Sequence, residues 1–302
     1  MKKIIILLGG ISSEKEISLI SGEEVYKAIA TVTGLSVQKY YLDENIAKFV
    51  EFLSKNKDAV VFNALHGKLY EDGKIQGLLD LMEIPYTHCG VMTSAICMNK
   101  SITKQIAKFN NIPVAKEQII TVKNFKPDDI ILAYPIIIKP IDEGSSVGLF
   151  YIENKEELQK ILPKIQSFNQ LMAEEYIKGV ECTVGVMNGK ALNVTEITYT
   201  TKLFDYEAKY TTGKAKHIIP ANLQENVLKQ LKEFSEKLFA SLNCRGVVRM
   251  DYIYSNEKCY LLEVNTQPGM TPVSLVPEQA ASLNINFTDL CLEILKYATY
   301  DK

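Results

Sequence analysis

Arg249-Met250-Asp251-Tyr252-Ile253-Tyr254, followed after a polar turn by Leu262-Glu263-Val264-Asn265-Thr266-Gln267-Pro268-Gly269-Met270-Thr271-Pro272-Val273-Ser274-Leu275, reads as a β-hairpin running into a polar loop. Strand side chains alternate faces, so Arg249 and Asp251 share one face, and Glu263 and Asn265 do likewise. Opposing 251 with 263 in an antiparallel pair also opposes 249 with 265. It leaves Asn256, Glu257 and Lys258 as a loop between Ser255 and Cys259. Two carboxylates, an amide oxygen and a guanidinium then lie on one patch, while Met250, Tyr252, Leu262 and Val264 form the apolar face. Such oxygens suit a hard cation such as Mg²⁺; a solvent-facing sheet surface of mixed charge is the other reading. In the loop, a Gly269 N–H beside Arg249 would make an oxyanion hole, and an ordinary turn accounts for the same residues. Arg249 stands out further, because only it and Arg245 are arginine among the 34 basic residues.

Upstream, Ile136-Ile137-Ile138-Lys139-Pro140 leads into Asp142-Glu143-Gly144-Ser145-Ser146-Val147-Gly148. A strand ending in lysine before a Gly/Ser loop can cradle phosphate or be a plain hairpin loop. It is neither a Walker A motif nor a dinucleotide fingerprint. Glu174-Glu175-Tyr176-Ile177, with Glu181 behind, offers acids for a base and ribose, or an exposed strand end. Phe204 to Tyr210 has aromatic residues without hydrophobic period, as expected of a lid closing on a ligand. Glu14 and Ser18 bracket the start of the first helix, where early acids match the macrodipole. His66-Gly67 follows a strand at the position where open sheets bind ligands, although a lone histidine there is more often structural.

Residues 1–90 alternate strand and helix signals: strands at 4–8, 36–41, 59–64 and 84–86, helices at 18–30 and 72–82. This is the rhythm of an open parallel sheet. Beyond residue 98 come helix 100–109, strands 118–122, 134–139 and 149–152, and helix 155–161. Strands 171–177 and 182–187 face each other across Lys178-Gly179. Strand 190–198, helix 225–242 and the hairpin 247–264 complete the pattern. The order after residue 100 is α+β.

At 302 residues, 47% hydrophobic and 23% charged, the chain has room for two or three domains. A net charge of -2 makes no field for nucleic acid or an anionic membrane, so an anionic ligand must be held by local cations. The apolar run after Lys2-Lys3 stops at Gly9-Gly10, too short for a signal peptide, and a cytoplasmic location is expected. The six cysteines make no C-x-x-C pair and are expected as buried apolar groups in a reducing compartment.

The order of these motifs is more specific than any one of them. Leu7-Leu8-Gly9-Gly10 to Glu14, Ala64-Leu65-His66-Gly67, Glu71-Asp72-Gly73, Lys139-Pro140 to Gly148, Tyr206 to Tyr210, Arg249-Met250-Asp251 and Leu262 to Thr271 resemble the D-alanine–D-alanine ligases of the ATP-grasp superfamily. The resemblance covers nearly the whole chain. It implies an α/β and α+β ATP-grasp architecture: an N-terminal open-sheet substrate domain (1–96), a central domain (97–182) and a C-terminal catalytic domain (183–302). By the resemblance, Lys100, Lys139 and Lys209 contact ATP phosphates under a cover around Ser146, and Glu174, Glu175, Ile177 and Glu181 hold adenosine. Asp251, Glu263 and Asn265 hold two Mg²⁺ ions, with Mn²⁺ as a substitute. Glu14 holds the first D-alanine's ammonium, with His66 and Arg249 also lining the substrate site, and Ser274 and Leu275 hold the second one's carboxylate. Arg249 and Gly269 N–H stabilise the tetrahedral intermediate, and Tyr210 ties the lid to Ser145 and Glu14. The implied product is D-alanyl-D-alanine for peptidoglycan precursors, and the implied assembly a homodimer. Ligation to D-lactate is the rival activity, disfavoured by tyrosine at 210, and a non-catalytic nucleotide-binding protein is the alternative from another class. Asn99, Phe204, Gln267 and Pro272 depart from residues common among relatives.

Overall fold

The computed structural model describes residues 1–144, 147–199 and 215–302. The expectations for Ser145, Ser146, Phe204, Lys209 and Tyr210 therefore lie outside the described residues. The chain opens with β1 (Lys2–Gly9), α1 (Lys15–Ile29), β2 (Leu35–Leu42), α2 (Ile46–Ser54) and β3 (Ala59–Asn63). The strands form a parallel sheet in the order β2-β1-β3, as the alternation of signals implied. Both faces of the middle strand are covered, so Ile4 to Leu8 are all fully buried and read as a continuous apolar run. Residues 84–86 are not a strand. Tyr86 makes only single bridges, to Val61 and to Thr299.

Next come α3 (Lys74–Leu81), α4 (Val91–Met98), α5 (Lys100–Phe109), β4 (Glu117–Thr121), β5 (Ile136–Pro140), β6 (Phe150–Ile152), α6 (Lys155–Ile165) and β7 (Gln170–Glu175). Asn99 caps α5 by accepting a hydrogen bond from Ile102 N at 3.2 Å, a role asparagine fills as well as aspartate. The strands form an antiparallel sheet, β4-β7-β5-β6.

The remaining elements are β8 (Val180–Met187), β9 (Lys190–Tyr199), β10 (Ala215–Ile218), α7 (Glu225–Ser241), β11 (Val247–Ser255), β12 (Lys258–Asn265), α8 (Leu275–Ala281) and α9 (Phe287–Lys296). Their strands form a second antiparallel sheet, β10-β9-β8-β11-β12. This corrects the expectation that 171–177 and 182–187 are hairpin partners. β7 pairs with β4 and β5, whereas β8 pairs with β9 and β11. The reason lies in β8's inward residues: Cys182, Val184 and Val186 share a core with Met250, Tyr252 and Leu261, not with β7. Lys178-Gly179 is thus a crossing between sheets.

The hairpin register is as parity required near the polar patch, with Arg249 opposite Asn265 and Asp251 opposite Glu263. Past Asp251 it slips: Tyr252 pairs with Leu261, and Ser255 with Lys258. The bulge removes Leu262 from the apolar face, where Leu261 is fully buried instead. The turn shrinks to Asn256-Glu257, both at positive φ (47 and 60), as a two-residue type I′ turn demands.

α8 and α9 pack on the first sheet: Val276, Ala280, Leu290 and Ile294 share one cluster with Ile4, Ile6, Leu8 and Phe62. α1 closes the same cluster and approaches β1 at Gly22, where an added Cβ would stand 2.6 Å from Leu8 Cβ. Ordinarily alanine is worth about 1 kcal/mol more than glycine inside a helix. Here the backbone-proximal Leu8 Cβ cannot swing away, and overpacking costs about 1–3 kcal/mol. The clash wins, so Gly22→Ala is expected to lower the urea midpoint with an unchanged slope. A raised midpoint would show that α1 can slide off β1.

Candidate active site

Asp251 is 9% exposed and sits opposite Glu263. Like charges so placed repel, and each has its own cation. Arg249 Nε and Nη2 donate to the two Asp251 oxygens at 2.9 and 2.9 Å, and Thr183 Oγ1 donates to Oδ1 at 2.6 Å. Lys100 Nζ lies 3.5 Å from Glu263 Oε2. Asn265, on the same face as Glu263, accepts from Gln267 N through Oδ1 at 2.9 Å. Two carboxylates and an amide on adjoining strands are a hard oxygen set of the kind Mg²⁺ takes together with phosphate oxygens and water.

Two clefts flank this patch. The first, of about 1080 Å³, is bordered by Glu14, His66, Arg249, Asn265, Gly269, Ser274 and Leu275. The second, of about 1040 Å³, is bordered by Lys139, Glu174, Glu175, Ile177, Glu181 and Asp251. Lys100, Glu143 and Glu263 border both. The N-terminal residue of α5 thereby reaches the junction: Lys100 Nζ donates to the Glu143 carbonyl at 2.5 Å and faces Glu263.

The second cleft has apolar walls from Ile137, Leu149, Ile253 and the bulged Leu262, a slot suited to a flat ring. Acids stand at its mouth: Glu175 is exposed, and Glu181 accepts from Tyr199 OH at 2.9 Å. Burial, reinforced by Glu181, pushes the Tyr199 phenol well above its ordinary pKa. Deeper in, Lys139 Nζ meets Glu174 Oε2 at 2.7 Å, and the other Glu174 oxygen is bonded to Lys104. Lys104 is fully buried, with Glu117 Oε2 3.9 Å away. Burial and then Lys139 press its pKa down; Glu117 opposes them, while Lys108 and Lys100 add to the depression.

In the first cleft, Glu14 is 8% exposed, and Gly144 comes so close that a Cβ there would stand 2.7 Å from Glu14 Oε1. His66 is buried between Ser21 Oγ, 3.2 Å from Nε2, and Glu71 Oε1, 3.1 Å from Nδ1. Ser274 Oγ lies 2.8 Å from Thr271 Oγ1 and accepts from Thr271 N at 3.0 Å. The structure thus gathers every described residue that the resemblance assigns to the site into two adjoining clefts.

Several neighbours escaped the sequence reading. His217, held by Glu278 at 2.6 Å, borders the first cleft, but its strand β10 is too short to show a pattern. Gln267 accepts from Asn63 Nδ2 at 2.8 Å and donates to the Leu65 carbonyl, tying the loop to the end of β3. Gln279 accepts from Gly185 N at 2.8 Å and donates to Thr195 Oγ1 at 2.9 Å. Glu143 lies in the Gly/Ser stretch after Lys139, whose pattern points to a phosphate cradle or a hairpin loop and not to a carboxylate between two clefts. All six cysteines are free and buried, as expected.

Comparison with known proteins bears on this geometry. The family described as D-ala D-ala ligase C-terminus matches residues 103–296, and the one described as D-ala D-ala ligase N-terminus matches 43–89. A D-alanine–D-alanine ligase of Zymomonas mobilis is 44% identical over 98% of this chain and 94% of its own length. One of Rhodospirillum rubrum is 41% identical over 99% of both. Among solved structures, the D-alanine–D-alanine ligase of Bacillus anthracis superposes with a TM-score of 0.87 at 30% identity, covering 98% of this chain and 97% of that one. The same enzyme complexed with ATP gives 0.86 at 28% identity, with the same coverage. With both family segments matched in order and the fold shared along nearly its whole length, the chain belongs to the D-alanine–D-alanine ligase family, an ATP-grasp enzyme family.

Proposed function

We propose that this chain joins two D-alanines through an acyl phosphate, with ATP in the cleft between β5–β7 and β11–β12 and the amino acids in the cleft beside it. The observation that carries the reading is the shared border: Lys100, Glu143 and Glu263 belong to both clefts. A phosphoryl group at the inner end of one would face a carboxylate in the other. Glu175, Ile177 and Glu181 take adenosine at the mouth, Glu174 lies beneath it, and Lys100 and Lys139 face the phosphates. Lys209 and Ser146 are assigned to the phosphates, and Ser145 and Tyr210 to closure, on the family resemblance alone.

The γ-phosphoryl group passes to the first D-alanine's carboxylate, whose ammonium is held by Glu14 with His66 nearby. The second D-alanine, its carboxylate at Ser274 and Leu275, attacks the acyl carbon with its amine. The C–N bond forms, the C–O bond to phosphate breaks, and the departing phosphate takes the amine's proton. Arg249 and the Gly269 N–H offset charge on the tetrahedral oxygen. No protein nucleophile is needed. The demands are orientation of two small molecules and exclusion of water from the acyl phosphate. Asp251, Glu263 and Asn265 would hold two Mg²⁺ ions, or Mn²⁺, supplying charge neutralisation to the phosphates. The three sheets are read as the three domains expected, although β8 straddles the boundary drawn after residue 182. Among the described residues no helix is long and apolar enough to cross a membrane. A cytoplasmic homodimer serving peptidoglycan synthesis fits the family.

Phosphate release from ATP and Mg²⁺ tests the whole reading. Release is expected with D-alanine, none with L-alanine, and no depsipeptide when D-lactate is added. Silence with D-alanine would sink it. Glu263→Gln is expected to abolish turnover with an unchanged circular dichroism spectrum, and retained turnover would remove Glu263 from the metal site. Arg249→Met is expected to lower kcat by about 10² to 10³-fold, the usual loss for one oxyanion donor. A rise in KM alone would mean that Arg249 only binds substrate.

A further inference from the structure

We infer that Lys104 is an electrostatic positioning residue: it offsets the charge of Glu174 so that the Lys139 ammonium stays available to a phosphate chain in the second cleft. The inference rests on the assignment of Lys139 to phosphate binding. Three groups stand in a row. Lys139, 12% exposed along its side chain, meets one oxygen of Glu174 at 2.7 Å, and Lys104, with no exposed surface, is bonded to the other. One carboxylate between two ammonium groups leaves these three with a net positive charge, and of the two ammonium groups only that of Lys139 borders the cleft, beside Glu174 in its wall. Glu117 does not upset this balance, because Lys108 meets its other oxygen at 3.1 Å from the surface side.

Without Lys104, Glu174 and Lys139 form a closed neutral pair. In a water-poor wall such cancellation is strong, since charges there are little screened. A buried lysine is also costly where an apolar residue would pack, so solvation does not explain its presence. Its position on α5 supplies the rest of the argument. Lys100 and Lys104 are one helical turn apart and share a face. One short helix thereby brings an ammonium to the junction of the clefts and a second beneath the wall of the nucleotide cleft. Burial presses the Lys104 pKa down, and its direct contact with a Glu174 oxygen is that of an ion pair.

Steady-state kinetics on four variants tests this. Lys104→Met is expected to raise the KM for ATP about tenfold and to leave that for D-alanine within about twofold, the signature of one lost charge near the phosphates. Lys104→Met/Glu174→Gln removes the carboxylate that closes the pair with Lys139 and is expected to recover most of the ATP KM. A merely structural Lys104 would not give that rescue, and a double variant no better than the single one overturns the inference. If Lys104→Met does not fold, Lys104→Gln decides, since it keeps a polar contact to Glu174 without the charge. Its ATP KM is expected to rise as well, and a value unchanged from the parent overturns the inference. Lys139→Met separates the two claims. An unchanged ATP KM there refutes the phosphate role of Lys139, whereas a raised one beside an unaffected Lys104→Met refutes only the role of Lys104.

Discussion

Two carboxylates face each other across one antiparallel pair, and most of the site follows from the need to balance them. Asp251 and Glu263 are opposed by the hairpin register. The protein answers with Arg249 from the same strand and Lys100 from the start of α5. Further partners join, the Glu143 carbonyl accepting from Lys100 and Thr183 donating to Asp251. A polyanionic nucleotide can enter such a place because the fixed charges of both signs are already paired and can change partners.

Near-neutrality overall conceals this arrangement. With a net charge of -2, the chain has no long-range field to draw in anions, and attraction must be local. The second cleft provides it with Lys139 and Lys100 against Glu174 and Glu263. Apolar walls from Ile137, Leu149, Ile253 and Leu262 lower the screening around those charges.

What could be read from the sequence depended on how local the cause was. Parity permitted a register with Asp251 opposite Glu263 and Arg249 opposite Asn265, because side-chain alternation is a property of any strand, and the hairpin adopts it. The bulge beyond them was hidden by Leu261-Leu262: two identical neighbours cannot announce which one faces the core. The β7–β8 hairpin failed for a related reason. A two-residue glycine link permits a hairpin, but the choice of partner is made by the distant residues Met250 and Tyr252. Nothing in the pattern of 100–109 distinguishes Lys104 from a surface lysine, and only tertiary packing buries it against Glu174 of β7. α8, short and interrupted by Pro277, has too little period to register as a helix. Ordered motifs spread over the chain, by contrast, carried the identity of the site, since each marks a strand end or loop that the fold returns to one place.

The shared cluster of Ile4, Ile6 and Leu8 with Val276, Leu290 and Ile294 bears on how the protein comes into being. A ribosome delivers β1, α1 and β3 long before residues 275–296 emerge. Until then that flank of the parallel sheet has only α1 as apolar cover, and domains normally fold as units while the chain grows. Here the first unit is completed only by the last helices. The nascent chain therefore carries a partly unsealed hydrophobic surface through most of its translation.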